Sequence, residues 1–124
     1  MQPATYNFTY YRGDTLPLTV KLYDANGQSL DVNSWTGVTF GLNKERGNYT
    51  NTVALSASLD KITSTVTCSI TSGIGNVLDG SYFYDITLYK VSGSVVTEEY
   101  TVMTGTIQVI DDVVRSSDIP GVLP

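Results

Sequence analysis

The stretch Ser81-Tyr82-Phe83-Tyr84-Asp85-Ile86-Thr87-Leu88-Tyr89 decides the fold. Tyr82, Tyr84, Ile86 and Leu88 take every second position, with Phe83, Asp85, Thr87 and Tyr89 between them. A period of two sends one set to each face of a strand, and aromatic and β-branched residues suit that pleated surface. The rhythm continues both ways. Downstream, Ser92-Gly93-Ser94 closes a hairpin into residues 95–100, and a last strand near residues 102–110 turns Ile107 and Val109 inward. Upstream, Ile62, Ser64, Val66, Cys68 and Ile70 share one face, preceded by Val53, Leu55 and Ala57, and before them Val38, Phe40 and Leu42. Leu16, Leu18, Val20 and Leu22 line a strand nearer the start, and Tyr6, Phe8 and Tyr10 form the first.

Turn residues separate these runs. Arg12-Gly13-Asp14 and Asp24-Ala25-Asn26-Gly27 reverse the chain where Gly and Asn accept positive φ at little cost. Pro17 cannot donate to a ladder, which puts it at a sheet edge or strand start. Residues 43–52 are polar and read as the longest loop or hairpin tip, and residues 74–78 hold at most one helical turn. The pattern predicts an all-β chain, an antiparallel sandwich of seven to nine strands. Its expected core is Leu18, Val20, Leu22, Phe40, Val66, Cys68, Tyr84, Ile86, Leu88, Ile107 and Val109. Residues 5–110 form the domain, with residues 1–4 and 111–124 as extended arms.

Composition narrows the functions. The chain has 124 residues, 41% of them hydrophobic and only 15% charged, so one core is feasible and hydroxyls and amides dominate the surface. Twelve acids against seven bases leave a net charge of −5, which argues against nucleic acid as a partner. No stretch is apolar for long enough to cross a membrane as a helix, and Met1-Gln2-Pro3-Ala4-Thr5 lacks the basic and apolar regions of a signal peptide. The expectation is a soluble chain made in a cytoplasm.

Chemistry has little to work with. The chain has no histidine, so Ser-His-Asp triads, Cys-His pairs and the usual zinc sites are ruled out. Cys68 is the lone cysteine and alternates with Val66 and Ile70, which reads as a small buried hydrophobe. No cofactor, metal or catalytic residue is expected. Arg12-Gly13-Asp14 matches an integrin-recognition triplet, but a turn accounts for it; the sequons at Asn7 and Asn48 are chance in a cytoplasmic product. Nine tyrosines are the more informative feature. Tyr6, Tyr10 and Tyr11 cluster near the start, and tyrosine is enriched at interfaces for its area and polar tip. Ile119, Val122 and Leu123 lie among prolines that pre-order the tail, as a docking arm along a neighbouring subunit would need. These six residues are the candidate partner-binding set.

Tyr11-Arg12-Gly13-Asp14-Thr15 leads into a strand, then Asp24-Ala25-Asn26-Gly27, then Trp35-Thr36-Gly37. Gly80-Ser81-Tyr82-Phe83-Tyr84-Asp85-Ile86, Gly105-Thr106-Ile107-Gln108-Val109 and Asp112-Val113-Val114-Arg115 follow. In order and spacing, over residues 8–115, this resembles the immunoglobulin-like domains of tailed-bacteriophage virion proteins, such as the N-terminal domain of upper baseplate proteins. The resemblance implies a non-enzymatic immunoglobulin-like β-sandwich docked to another virion protein. The chain ends just after the domain, with no fibre stem or receptor-binding head, which favours a small accessory protein in many copies. The leading expectation is a capsid decoration or cement protein, assembled in the host cytoplasm, homo-oligomeric or multi-copy, on the major capsid protein lattice. A baseplate or tail component anchoring a fibre is the alternative, and a carbohydrate-binding module with exposed tyrosines is an alternative of another class.

Overall fold

A computed structural model describes residues 4–47, 52–75 and 77–110. Eight strands form it: β1 (Ala4–Thr5), β2 (Phe8–Tyr11), β3 (Leu16–Lys21), β4 (Gly37–Asn43), β5 (Val53–Asp60), β6 (Thr65–Ile70), β7 (Ser81–Ser92) and β8 (Val95–Ile110). The one described helix, α1 (Ser72–Gly75), is a single turn. The fold is all-β, as the alternation predicts.

The strands hydrogen-bond in the order β1-β8-β7-β4-β5-β6-β3, with β2 also on β8. β5 makes this one curled sheet of two layers. Its first residues, Val53 to Leu55, pair with β4, whereas Ser56 to Asp60 pair with β6. The core fills the space between the layers. Phe40, Leu42, Tyr84, Ile86, Leu88 and Ile107 come from one side and Val66, Cys68 and Ile70 from the other, all almost wholly buried. The Tyr84 ring is set edge-on to Phe40 and Phe8, at 5.9 and 5.4 Å between centroids, a favoured aromatic geometry.

The sheet is not antiparallel throughout. β1 and β2 run parallel to β8 in a single register, from Ala4↔Met103 to Tyr11↔Ile110. Between them the chain leaves the ladder at Tyr6 and Asn7 and presses against Gly105, where any Cβ would collide with the Tyr6 carbonyl. That carbonyl accepts a hydrogen bond from the buried Tyr84 hydroxyl at 2.6 Å. Asn7 Oδ1 in turn accepts from the Thr106 N–H at 2.9 Å. The Tyr6 carbonyl and the Thr106 N–H are thus satisfied although the ladder is broken here.

Other differences have local causes. Ile62 is 96% exposed instead of on the inner face. Asp60 Oδ1 accepts from the Ile62 and Thr63 N–H groups, forming a turn, and Ser64 leaves it with φ 54°. The Ser64 hydroxyl donates to the Leu30 carbonyl. Trp35, which the sequence pattern also admits as the start of the third strand, instead precedes β4, in a turn with its N–H on the Val32 carbonyl. Leu18 and Val20 pack on the core but are only half-buried, because β3 ends the sheet. Pro17 lies on this edge strand as its chemistry predicts. The Leu22 N–H bonds to Ser64 on the β6 side, so alternation turns Pro17, Thr19 and Lys21 toward the free edge, where a missing N–H costs no ladder bond. The hairpin between β7 and β8 turns through Gly93 at φ 64° and Ser94, a glycine-first two-residue turn suited to strand twist.

Leu22 is 5% exposed and Ile62 almost fully exposed. Replacing Leu22 by Ala should cost about 2–5 kcal/mol in chemical denaturation, while Ile62→Ala should stay within about 0.5 kcal/mol.

Candidate interaction surfaces

The outer face of β4, β7 and β8 presents Thr39, Gly41 and Asn43 beside Thr87, Asp85 and Phe83, in the register Thr39↔Thr87, Gly41↔Asp85, Asn43↔Phe83. Thr101 and Thr104 extend these rows on β8. A groove of about 380 Å³ crosses this face over Gly41. Arg46, from the turn after β4, reaches across it. Its guanidinium lies 4.7 Å from the Phe83 ring centroid and 3.7 Å from the Asp85 carboxylate, and it donates to the Thr104 hydroxyl at 3.0 Å. The Thr104 hydroxyl in turn donates to Asp85 at 2.6 Å. The Thr87 and Thr101 hydroxyls meet at 3.2 Å. The result is a pre-ordered surface of hydroxyls, one ion pair and a capped ring.

Chemistry is poorly served here. Cys68 is 1% exposed and burial pushes its thiol up to about 11, so little thiolate forms at neutral pH. Among the described residues no three His, Cys, Asp or Glu side chains converge as metal ligands. No described helix is long and apolar enough to cross a membrane.

Of the residues expected to meet a partner, Tyr6 and Tyr11 are more than half exposed on the edge that β1 and β2 form. Tyr10 is a correction. It is 2% exposed, with its hydroxyl on the Asp14 carbonyl, because it lies in phase with Phe8 on the face of β2 that packs on the core. Ile119, Val122 and Leu123 lie outside the described residues, as does Asn48. Arg12-Gly13-Asp14 is a turn, with Gly13 at φ 90°, the Arg12 N–H on Ile110 and the Asp14 N–H on Tyr11. A cation also lies over Tyr82 (Lys44, 5.3 Å) and over Trp35 (Lys90, 4.6 Å). With Phe83, three rings carry a cation, and of these Phe83 and Trp35 are the ones that reach the surface. Arg46, Phe83 and Asp85 escaped the sequence reading, and the one available signal was an aromatic and an acid on the solvent face of the strongest strand.

No family model matches the chain, and no curated protein does. Among solved structures the chain has distant likenesses. One chain comes from a structure on T cell specificity and activation by the bacterial superantigen toxic shock syndrome toxin-1. It is 13% identical with a TM-score of 0.49, covering 87% of this chain and 94% of that one. AggA, the major subunit of aggregative adherence fimbriae type I from Escherichia coli, is 12% identical, at TM-score 0.43, with 88% and 91% covered. A family 123 glycoside hydrolase from Clostridium perfringens is 15% identical, at TM-score 0.38, over 95% of this chain and 25% of its own.

The buried tyrosines carry a pH signature. Burial, with lesser contributions from Tyr6, Asp85 and Cys68, pushes Tyr84 up to about 12 from 10.0, and burial also raises Tyr10. The fold therefore holds these protons more tightly than the unfolded chain does. Their contribution is complete below pH 10 and is lost as pH rises from 10 towards 12. Melting temperature should fall across that window, and Tyr84→Phe should flatten much of the fall when the two melting curves are compared.

Proposed function

We propose that the chain is a non-enzymatic structural protein of a tailed-phage virion, a capsid decoration or cement protein that binds the major capsid protein lattice in many copies. The observation that carries this reading is the outer face of β4, β7 and β8, where Arg46, Thr104 and Asp85 bond to one another and the Thr87 and Thr101 hydroxyls meet across β7 and β8. Such a face loses little side-chain freedom on docking, and Arg and aromatic residues are the side chains that anchor protein interfaces. The immunoglobulin-like resemblance over residues 8–115 supplies the virion context. The cations over Phe83 and Trp35 weigh against sugar stacking at those two rings.

Immunogold labelling of purified particles should decorate the shell, with quantitative mass spectrometry returning far more copies than any baseplate protein. Label confined to the tail tip would instead support the fibre-anchoring role, and strong signals on a glycan array would overturn both. Replacing Arg46 and Phe83 together by Ala should weaken binding to undecorated heads about tenfold or more, while melting temperature changes little, since both side chains sit on the solvent face.

A further inference from the structure

The border that β1 and β2 give the sheet is unprotected. Exposed edge strands usually carry a lysine, a proline or an inward charge that discourages pairing with another chain. β3, the opposite border, has Pro17 and Lys21. Ala4 to Tyr11 contain no charged residue and no proline, in a chain whose net charge is −5. Among the described strands β2 bonds to β8 alone, so its other edge is open.

The parallel register shows which backbone groups that edge offers. The Tyr6 and Arg12 N–H groups bond to the Thr104 and Ile110 carbonyls, so the even-numbered residues turn their backbone groups to β8. Thr9 and Tyr11 therefore turn theirs outward. Thr9 is exposed, and its N–H and carbonyl have no partner among the described residues. Phe8 and Tyr10 send their side chains towards the core, which leaves those of Thr9 and Tyr11 on the outer face, beside Gln108 and Ile110 of β8. Tyr11 and, beyond the other end of β2, Tyr6 are both more than half exposed. The kink at Tyr6 and Asn7 limits the usable edge to β2 itself.

We propose that β2 pairs antiparallel with β2 of a second copy, about a twofold axis at Thr9. Such an axis needs a self-complementary edge, and Thr9 supplies one. Its N–H in each copy meets its carbonyl in the other, and the Tyr11 N–H extends the pairing at each end. The two Thr9 side chains fall opposite one another, a cross-strand hydroxyl pair like that of Thr87 and Thr101. Because the edge is uncharged, two acidic chains meet here without setting like charges together. The tyrosines, with rings of about 150–250 Å² when wholly buried, supply apolar area for a contact at the small end of protein interfaces. β4, β7, β8 and β2 of both copies then form one continuous sheet that presents the face of Arg46, Asp85 and Thr104 twice. Two linked sites hold a repetitive partner more tightly than one. The inference concerns the isolated protein and does not rest on its attachment to a particle.

Sedimentation velocity of the full chain, from micromolar to sub-millimolar concentration, tests it, with amide exchange followed over the same range. The chain should show a reversible monomer–dimer equilibrium, and the Thr9 and Tyr11 amides should gain protection as dimer forms. Thr9→Pro should weaken the dimer about tenfold or more. Melting temperature should change little, because the N–H that proline removes makes no bond to β8. Thr9→Lys sets two ammonium groups face to face, so it should weaken the dimer several-fold at low salt and recover as salt screens them. The proline variant should not recover. A chain that stays monomeric throughout, or a dimer indifferent to both substitutions, would overturn the proposal and leave the edge to an extended segment of a different protein. Neither result bears on particle labelling, which tests virion attachment separately.

Discussion

The seating of the N-terminal strand on β8 is the constraint from which the rest of the structure follows. At Tyr6 and Asn7 the backbone crosses Gly105 so closely that no side chain fits beneath it. The carbonyl displaced from the ladder is recovered by the Tyr84 hydroxyl, and the Thr106 N–H by the Asn7 side chain. Tyr84 thereby joins two roles. Its ring packs between Phe8 and Phe40, and its hydroxyl ties a segment 78 residues away to the middle of the sheet. The early tyrosines divide along this seat, with Tyr6 at the surface and Tyr10 in the core.

With β1 and β2 seated on β8, the sheet has two borders among the described strands, β1 with β2 at one end and β3 at the other. Because β5 passes from one layer to the other, the two borders approach without pairing, and an apolar groove remains between them. Pro17 and Lys21 sit on the β3 border, two devices that discourage indiscriminate strand addition. The same topology lets β7 and β8 extend beyond their neighbours as a hairpin and leaves the opposite face of β4, β7 and β8 to polar side chains. The interaction surfaces are consequences of where the sheet stops.

Much of this was legible in the sequence. Strict alternation over Val66, Cys68 and Ile70, over Phe40 and Leu42, and from Tyr82 to Leu88 identified core faces, because the pleat ties side-chain direction to parity. Alternation failed where parity was broken. Ile62 falls in phase with Val66 but lies in a turn ordered by Asp60. Leu18 and Val20 were placed on the correct face, yet periodicity cannot tell an edge strand from a central one. It is equally blind to the pairing partner, so the parallel seat on β8 was beyond it. The Arg46, Asp85 and Thr104 cluster brings together residues up to 58 apart, which only the folded register achieves.

Amide hydrogen exchange on a Gly105→Ala variant tests the central claim most directly. The added methyl cannot coexist with the Tyr6 carbonyl in its present position, so the N-terminal strand should lift from β8. The Tyr6 and Arg12 amides, which bond to Thr104 and Ile110, should lose protection while those between β3 and β6 keep theirs. Overall stability should fall by about 1–3 kcal/mol. Unchanged protection at Tyr6 and Arg12, with unchanged stability, would contradict the account.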